Sequence, residues 1–174
     1  MREALSSCLS CDKQNSLYPF QKNKSTPQIE AKMLYSQEMT SKISIKTFQK
    51  REIIDITGKI EVFVPQSKVI SGIIQIFALH TTCAIIITEP ENGLKKDLFS
   101  YLEKESPQGP FSHNHGDSAH VSSHLLSALI GQGQTVLIEN GRLFLGSWQR
   151  VCLLELDGPK TREIAVKIIK DEKN

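Results

Sequence analysis

Histidine is the residue type around which chemistry can be built in this chain. All five histidines fall between positions 80 and 124, and His113, His115, His120 and His124 lie within the stretch 113–124. Imidazole is a common ligand for zinc-like metals and moves protons near neutral pH. At i,i+4 spacing, His120 and His124 can present two ring nitrogens from one helical face, and His80, His113 or His115 can add further ligands. The plainer reading makes one or two of them satisfied core or interface histidines and the rest solvated. Carboxylates that could orient an imidazole or hold Mg²⁺ are Glu89, Glu91, Asp97 and Asp117. Glu91 and Asp97 fit a solvated helix face equally well, whereas Glu89 and Asp117 keep both readings open. Arg142 and Arg150 carry guanidinium forks that match phosphate oxygens, or are simple surface charges. Cys83 follows His80 by three residues, but it opens an apolar run whose burial would raise the thiol pKa and leave it inert.

These residues need a scaffold, and the sequence sketches one. Isoleucines alternate with polar residues from Ile43 to Thr47 as in a strand, and 53–56 reads as a second short strand. Thr57 is positioned to cap a short helix that Pro65 would stop. The segments 72–79 and 83–88 are strongly apolar, predicting two buried strands or one long bent strand with His80 at the junction. Leu94, Leu98, Tyr101 and Leu102 recur at helical spacing over 92–105, with Asn92 as the expected N-cap. Residues 106–117, with prolines, glycines and two histidines, predict a loop. A second helix is expected over 118–130, ended by Gly131. Asn140-Gly141 between 134–139 and 142–145 predicts a type I′ hairpin. The segments 149–156 and 161–169 are expected to pair around Asp157-Gly158-Pro159-Lys160. Together these predict a single α+β domain, a mostly antiparallel sandwich or barrel-like sheet with two or three helices.

Length and composition narrow the class. The 174 residues, 39% hydrophobic, suit one domain, which the pattern places at 39–174. Residues 1–38 are polar and aperiodic, predicting a poorly ordered extension, or a misplaced start, since Met39 stands just before the change. Cys8-x-x-Cys11 lies there without a second such pair, so it does not predict zinc or redox chemistry. A net charge of +2 gives no reason to expect a nucleic-acid or membrane partner. No apolar stretch approaches the ~20 residues of a membrane span, and no signal core follows the N-terminus. Four cysteines do not form a secreted framework, so a cytoplasmic address is expected. P-loop, nucleophile-elbow and H-E-x-x-H motifs are absent.

A set of ordered motifs carries a resemblance. His80-Thr81-Thr82-Cys83-Ala84 with Glu89, then Asp97, His113 and Ala119-His120-Val121, and finally Asn140-Gly141-Arg142-Leu143 leading to Leu145-Gly146-Ser147-Trp148-Gln149 are similar to the YjbQ-like family, also described as secondary thiamine-phosphate synthases. The resemblance implies an α+β homotrimer with a histidine-lined pocket. In it His80, His113, His120 and Glu89 would be catalytic. The three histidines would hold a divalent ion, Mg²⁺ or Zn²⁺; from the residues themselves, His115 and Asp117 are alternative ligands. Asp97, Arg142, Trp148 and Gln149 would bind substrate. His115 and His124 fall outside the family pattern. A histidine loop shorter than the family's usual one lets His113 and His115 exchange roles.

The activity this resemblance implies joins a hydroxymethylpyrimidine diphosphate to a thiazole phosphate with release of pyrophosphate. Such a step asks for a divalent cation, cationic partners for phosphate and a cleft holding two rings. A small phosphorylated metabolite is the expected partner. Two alternatives use the same histidines: metal-assisted hydrolysis, with Glu89 or Asp117 accepting a proton, and a non-catalytic trimer that binds a metal or an anion.

Overall fold

The structure, a computed structural model, describes residues 40–106 and 109–172. The expected extension 1–38 and its Cys8-x-x-Cys11 pair lie outside the described residues. The described chain runs β1 (Ser41–Lys46), β2 (Glu52–Asp55), α1 (Thr57–Glu61), α2 (Phe63–Ser67), β3 (Gly72–Ala78), β4 (Cys83–Thr88), α3 (Asn92–Glu105), α4 (Ser118–Ile130), β5 (Gly133–Glu139), β6 (Arg142–Leu143), β7 (Arg150–Glu155) and β8 (Thr161–Lys170). The strands form two antiparallel sheets, ordered β1-β8-β3-β5-β6 and β2-β7-β4, that make a curled half-barrel. The α+β, antiparallel architecture expected from the sequence is therefore present, with two single-turn helices beside the two long ones. No helix among the described residues is long and apolar enough to cross a membrane.

Strand alternation sorts side chains into layers. From β3, Ile74, Ile76 and Ala78 turn inward, joined by Val136 and Ile138 of β5 and Ile164 and Val166 of β8. β7 is buried on both faces. Its Val151 and Leu153 face the core between the sheets, while Cys152 and Leu154 pack with Leu102 of α3 and Leu126 of α4. The three-stranded sheet is thus the middle layer, between the larger sheet and the long helices. Burial of each such Leu or Ile contributes roughly 1.5–3 kcal/mol.

Several local expectations change. Segments 149–156 and 161–169 do not pair with each other: β7 lies between β2 and β4, whereas β8 lies between β1 and β3. The apolar run of β7 needs cover on both faces, so the chain leaves its sheet at Asp157 and starts β8 in the other one. Of the two readings for 72–88, the structure has two separate buried strands, β3 and β4, in different sheets. Residues His80–Thr82 carry the chain between sheets. The N-cap of α3 is Glu91, not Asn92, because its carboxylate accepts from the N–H groups of Gly93 and Leu94 at 2.7 and 2.8 Å. Thr57 does not cap α1; its Oγ1 accepts from Val151 N at 2.9 Å and ties the helix to β7. Pro65 falls in the first turn of α2, where its missing N–H costs nothing, and so does not mark the end of α1. At the β5–β6 turn, Asn140 and Gly141 have φ of 51° and 72°, as a type I′ hairpin requires.

Candidate functional site

Two crossings between sheets meet at one end of the molecule. Ala78 lies opposite Ile164, and Cys83 lies opposite Glu155, so the β3–β4 connection and the β7–β8 turn are brought together. The start of α4 docks on the same end through buried serines. Ser123 Oγ donates to Leu156 O at 2.7 Å and Ser127 Oγ to Cys83 O at 2.6 Å. Asp117 caps the helix, its carboxylate accepting from His120 N at 2.8 Å. Asp117, a candidate ligand in the sequence, thus serves here as the cap of the helix that carries His120.

His120 and His124, one turn apart, project from this docked helix, and the preceding loop folds His113 and His115 over them. All four rings touch: centroids are 4.1 Å apart for His113–His115, 4.7 Å for His120–His124 and 5.1 Å for His113–His124. Nitrogens of His113, His120 and His124 lie within 4.8 Å of one another. The closest approach is Nε2 of His124 to Nε2 of His120, 3.1 Å. Gly116 makes this crowding possible. Its φ is +78°, and a Cβ there would stand 2.3 Å from Cδ2 of His120.

The opposite nitrogen of His120 is also engaged. Asp157 Oδ2 lies 2.9 Å from His120 Nδ1, and the same carboxylate oxygen accepts from the ammonium of Lys160. Burial alone would raise the Asp157 pKa, but the hydrogen bonds from Lys160 and His120 outweigh it and hold the carboxyl below its usual range. An ionised Asp157 accepts the hydrogen bond from His120 Nδ1–H, which directs the opposite ring nitrogen, Nε2, at His124. His124 is pushed the other way, toward the neutral base, by burial and then by the charge of His120 and the other rings. Half-buried His124 is thus held toward its neutral form beside His120.

The other residues expected from the sequence divide by position. His80 stands at the same end, on the β3–β4 connection, but its Nε2 accepts from Glu163 N at 2.7 Å and its ring is not one of the four in contact. Burial, then the charge of Arg162, lowers its pKa. Glu89, Arg142, Trp148 and Gln149 lie toward the other end. Thr88, which precedes Glu89, pairs with Arg150 at the far end of β7, about 17 Å of extended chain from Glu155. Trp148 is 73% exposed there, and Gln149 Oε1 accepts from Gly146 N at 2.8 Å. Arg142 borders a separate cleft with Glu61, Val64, Pro65 and Leu143. Asp97 is exposed on α3. Cys83 is fully buried, its thiol pushed up to about 11 mainly by burial, as the apolar run predicts.

Among the residues that bear on the closest nitrogen set, His124 and Asp157 lie outside the family motifs. The i,i+4 spacing to His120 signals the first. No local signal marks the second, because its meeting with α4 depends on the crossing between sheets.

The fold and the ordered motifs place the chain in one family: it belongs to the YjbQ/UPF0047 proteins, whose family pattern, described as UPF0047 protein YjbQ-like, matches residues 41–171. A UPF0047 protein of Archaeoglobus fulgidus is 39% identical over 128 residues, covering 73% of this chain and 98% of the relative. The YugU protein of Bacillus subtilis is 35% identical over 132 residues, 75% and 99% of the two chains. Among solved structures, a YbjQ-like protein of unknown function from Sulfolobus solfataricus aligns with a TM-score of 0.71 and 32% identity, over 76% of this chain and 97% of that one. A YjbQ/UPF0047 protein from Clostridium acetobutylicum aligns at 0.69 with 35% identity, over 74% and 99%.

Proposed function

We propose that this chain is a cytoplasmic, zinc-dependent enzyme acting on a small phosphorylated metabolite, with the ion held by His113, His120 and His124. The observation that carries the proposal is the 3.1 Å approach of two Nε2 atoms while Asp157 holds the other nitrogen of one of them. Two ligands of a tetrahedral zinc at ~2.05 Å stand about 3.3 Å apart, so the pair needs little adjustment. Three imidazoles and a carboxylate behind one of them suit Zn²⁺, whereas Mg²⁺ favours oxygen ligands.

When bound, such an ion supplies Lewis-acid polarisation of a phosphoryl oxygen. The chain's own groups do the rest. Asp157 fixes the tautomer and direction of His120. Lys160, paired with the same carboxylate, keeps Asp157 ionised. His115 contacts the three ligating rings without belonging to the closest nitrogen set and is placed to move a proton. This geometry favours hydrolysis of a phosphate ester or anhydride.

The pyrophosphate-releasing condensation implied by the family resemblance is the second reading. It is favoured by the exposed Trp148 and the Arg142 cleft, which offer a ring and a phosphate partner away from the histidines. Because those residues lie toward the other end of β7, this reading requires a homotrimer in which a neighbouring copy brings them to the imidazoles.

Elemental analysis of tag-free protein, with light scattering for subunit number and assays for phosphate and pyrophosphate release, tests both. Stoichiometric zinc with phosphate release supports hydrolysis. Pyrophosphate release from paired substrates, confined to a trimer, supports condensation. Absence of bound metal after incubation with equimolar zinc overturns the metal assignment.

A further inference from the structure

A buried ion pair, Glu155 with Arg162, holds the turn that carries Asp157. Glu155 is 0% exposed and Arg162 2%. Both carboxylate oxygens of Glu155 are used: Oε1 accepts from Arg162 Nη2 at 2.5 Å and from Asp157 N at 2.8 Å, and Oε2 from Arg162 Nε at 2.7 Å and Thr47 Oγ1 at 3.1 Å. Arg162 Nη2 also reaches Thr82, with Oγ1 at 2.9 Å and the carbonyl at 3.2 Å. A buried pair of this kind costs desolvation that a well-packed apolar pair would avoid, so stability is a weak reason for it.

Its connections supply a stronger one. Every backbone N–H from Leu156 to Lys160 is bonded: Leu156 to Thr82 O, Asp157 to Glu155, Gly158 to Lys50 O and Lys160 to Thr47 Oγ1, Pro159 having none. The turn that presents Asp157 is thus fixed from the buried pair outward. On its other side Arg162 anchors Thr82, two residues beyond His80, and the adjoining Glu163 N–H holds the His80 ring.

We propose that Glu155 and Arg162 are positioning residues of the imidazole site, acting through Asp157 on the orientation and tautomer of His120; for its metal readout the inference rests on the reading of that site as a zinc centre. The full chain is compared with Glu155→Gln, Arg162→Lys and, as a core control away from the turn, Ile138→Val. Zinc affinity is read by competition with a chromophoric chelator, and His120 tautomer by imidazole ¹⁵N shifts in chelator-treated protein. The expected result is zinc binding weakened ~10–100-fold in both network variants. His120 should shift from the Nδ1–H form toward a mixture, and the core control should lose some thermal stability only.

A folded network variant with wild-type zinc affinity and wild-type tautomer overturns the inference. If both network variants fail to fold, Thr82→Val, which removes one hydrogen bond to Arg162, is judged by the same criteria. Should the wild type bind no zinc, the metal reading falls, and the tautomer comparison still decides whether Glu155 and Arg162 position His120.

Discussion

Asp157 and His120 are 37 positions apart in the chain and 2.9 Å apart in space, carboxylate Oδ2 against imidazole Nδ1. One residue comes from a turn between the two sheets, the other from the first turn of a helix docked over it. Their contact converts a docked helix into an oriented nitrogen donor, since the bond at Nδ1 decides which way the Nε2 lone pair points.

Replacing Asp157 by Asn keeps the size and one acceptor oxygen but removes the charge that also neutralises Lys160. Zinc affinity is expected to fall ~10–100-fold, the usual consequence of losing a carboxylate behind a ligating histidine. A chelator competition titration at fixed ionic strength measures it. Unchanged affinity would mean that His120 needs no carboxylate to present its Nε2.

The four touching rings are not equivalent, because only nitrogens of His113, His120 and His124 fall within 4.8 Å of one another. Removing any of these three by substitution to Ala should weaken zinc binding beyond the roughly 100-fold upper range for outer-shell changes. His115→Ala should leave zinc content intact while lowering turnover, if His115 moves a proton. Equal metal loss in all four variants would instead make His115 a ligand.

Legibility in the sequence followed the range of the interactions. The β5–β6 hairpin was readable because Asn140-Gly141 states its own backbone requirement, and α4 because its apolar spacing and its terminal Gly131 are local. Pairing was less so: Asp157-Gly158-Pro159-Lys160 has the composition of a hairpin turn, yet the strands it joins lie in different sheets. The missed clue was in β7 itself, whose consecutive buried residues from Val151 to Glu155 have no solvent face and so belong in a middle layer. The site shows the same division. His120 and His124 could be paired by helical spacing, but Asp157, Lys160, Glu155 and Arg162 join them only through that crossing.

His80 links the site to acid stability. Its Nε2 must be unprotonated to accept from Glu163 N, and burial followed by the charge of Arg162 lowers its pKa from the usual 6.5. In that range the unfolded chain binds more protons at this residue than the folded one, so stability rises with pH. The contribution is present above about pH 6.5 and is lost as pH falls through the lowered folded value. Thermal unfolding of chelator-treated wild type and His80→Gln should therefore converge between pH 7 and 5, because the variant has no proton to take up there. A parallel fall of the two melting temperatures would assign the acid sensitivity to other groups.

Two glycines separate stability from site geometry. Gly158 sits in the clamped turn, where an added Cβ would meet Gln49 O at 2.2 Å and Thr47 Oγ1 and Glu155 Cγ at 2.9 Å. None of these can yield easily, because Thr47 and Glu155 are buried and bonded to the same turn. Gly158→Ala should destabilise the domain by ~1–3 kcal/mol, the usual range for overpacking, and weaken zinc binding by displacing Asp157. Gly116 lies on the exposed loop, and its added Cβ would strike the ring of His120 while its backbone has φ of +78°. There the strain falls on an exposed loop that carries His113 and His115, not on the buried core. Gly116→Ala should consequently lose zinc affinity with little change in the melting temperature of the metal-free protein. Melting and titration of both variants side by side check the distinction, and a large loss of metal-free stability in Gly116→Ala would show that the histidine loop belongs to the folding unit and not only to the site.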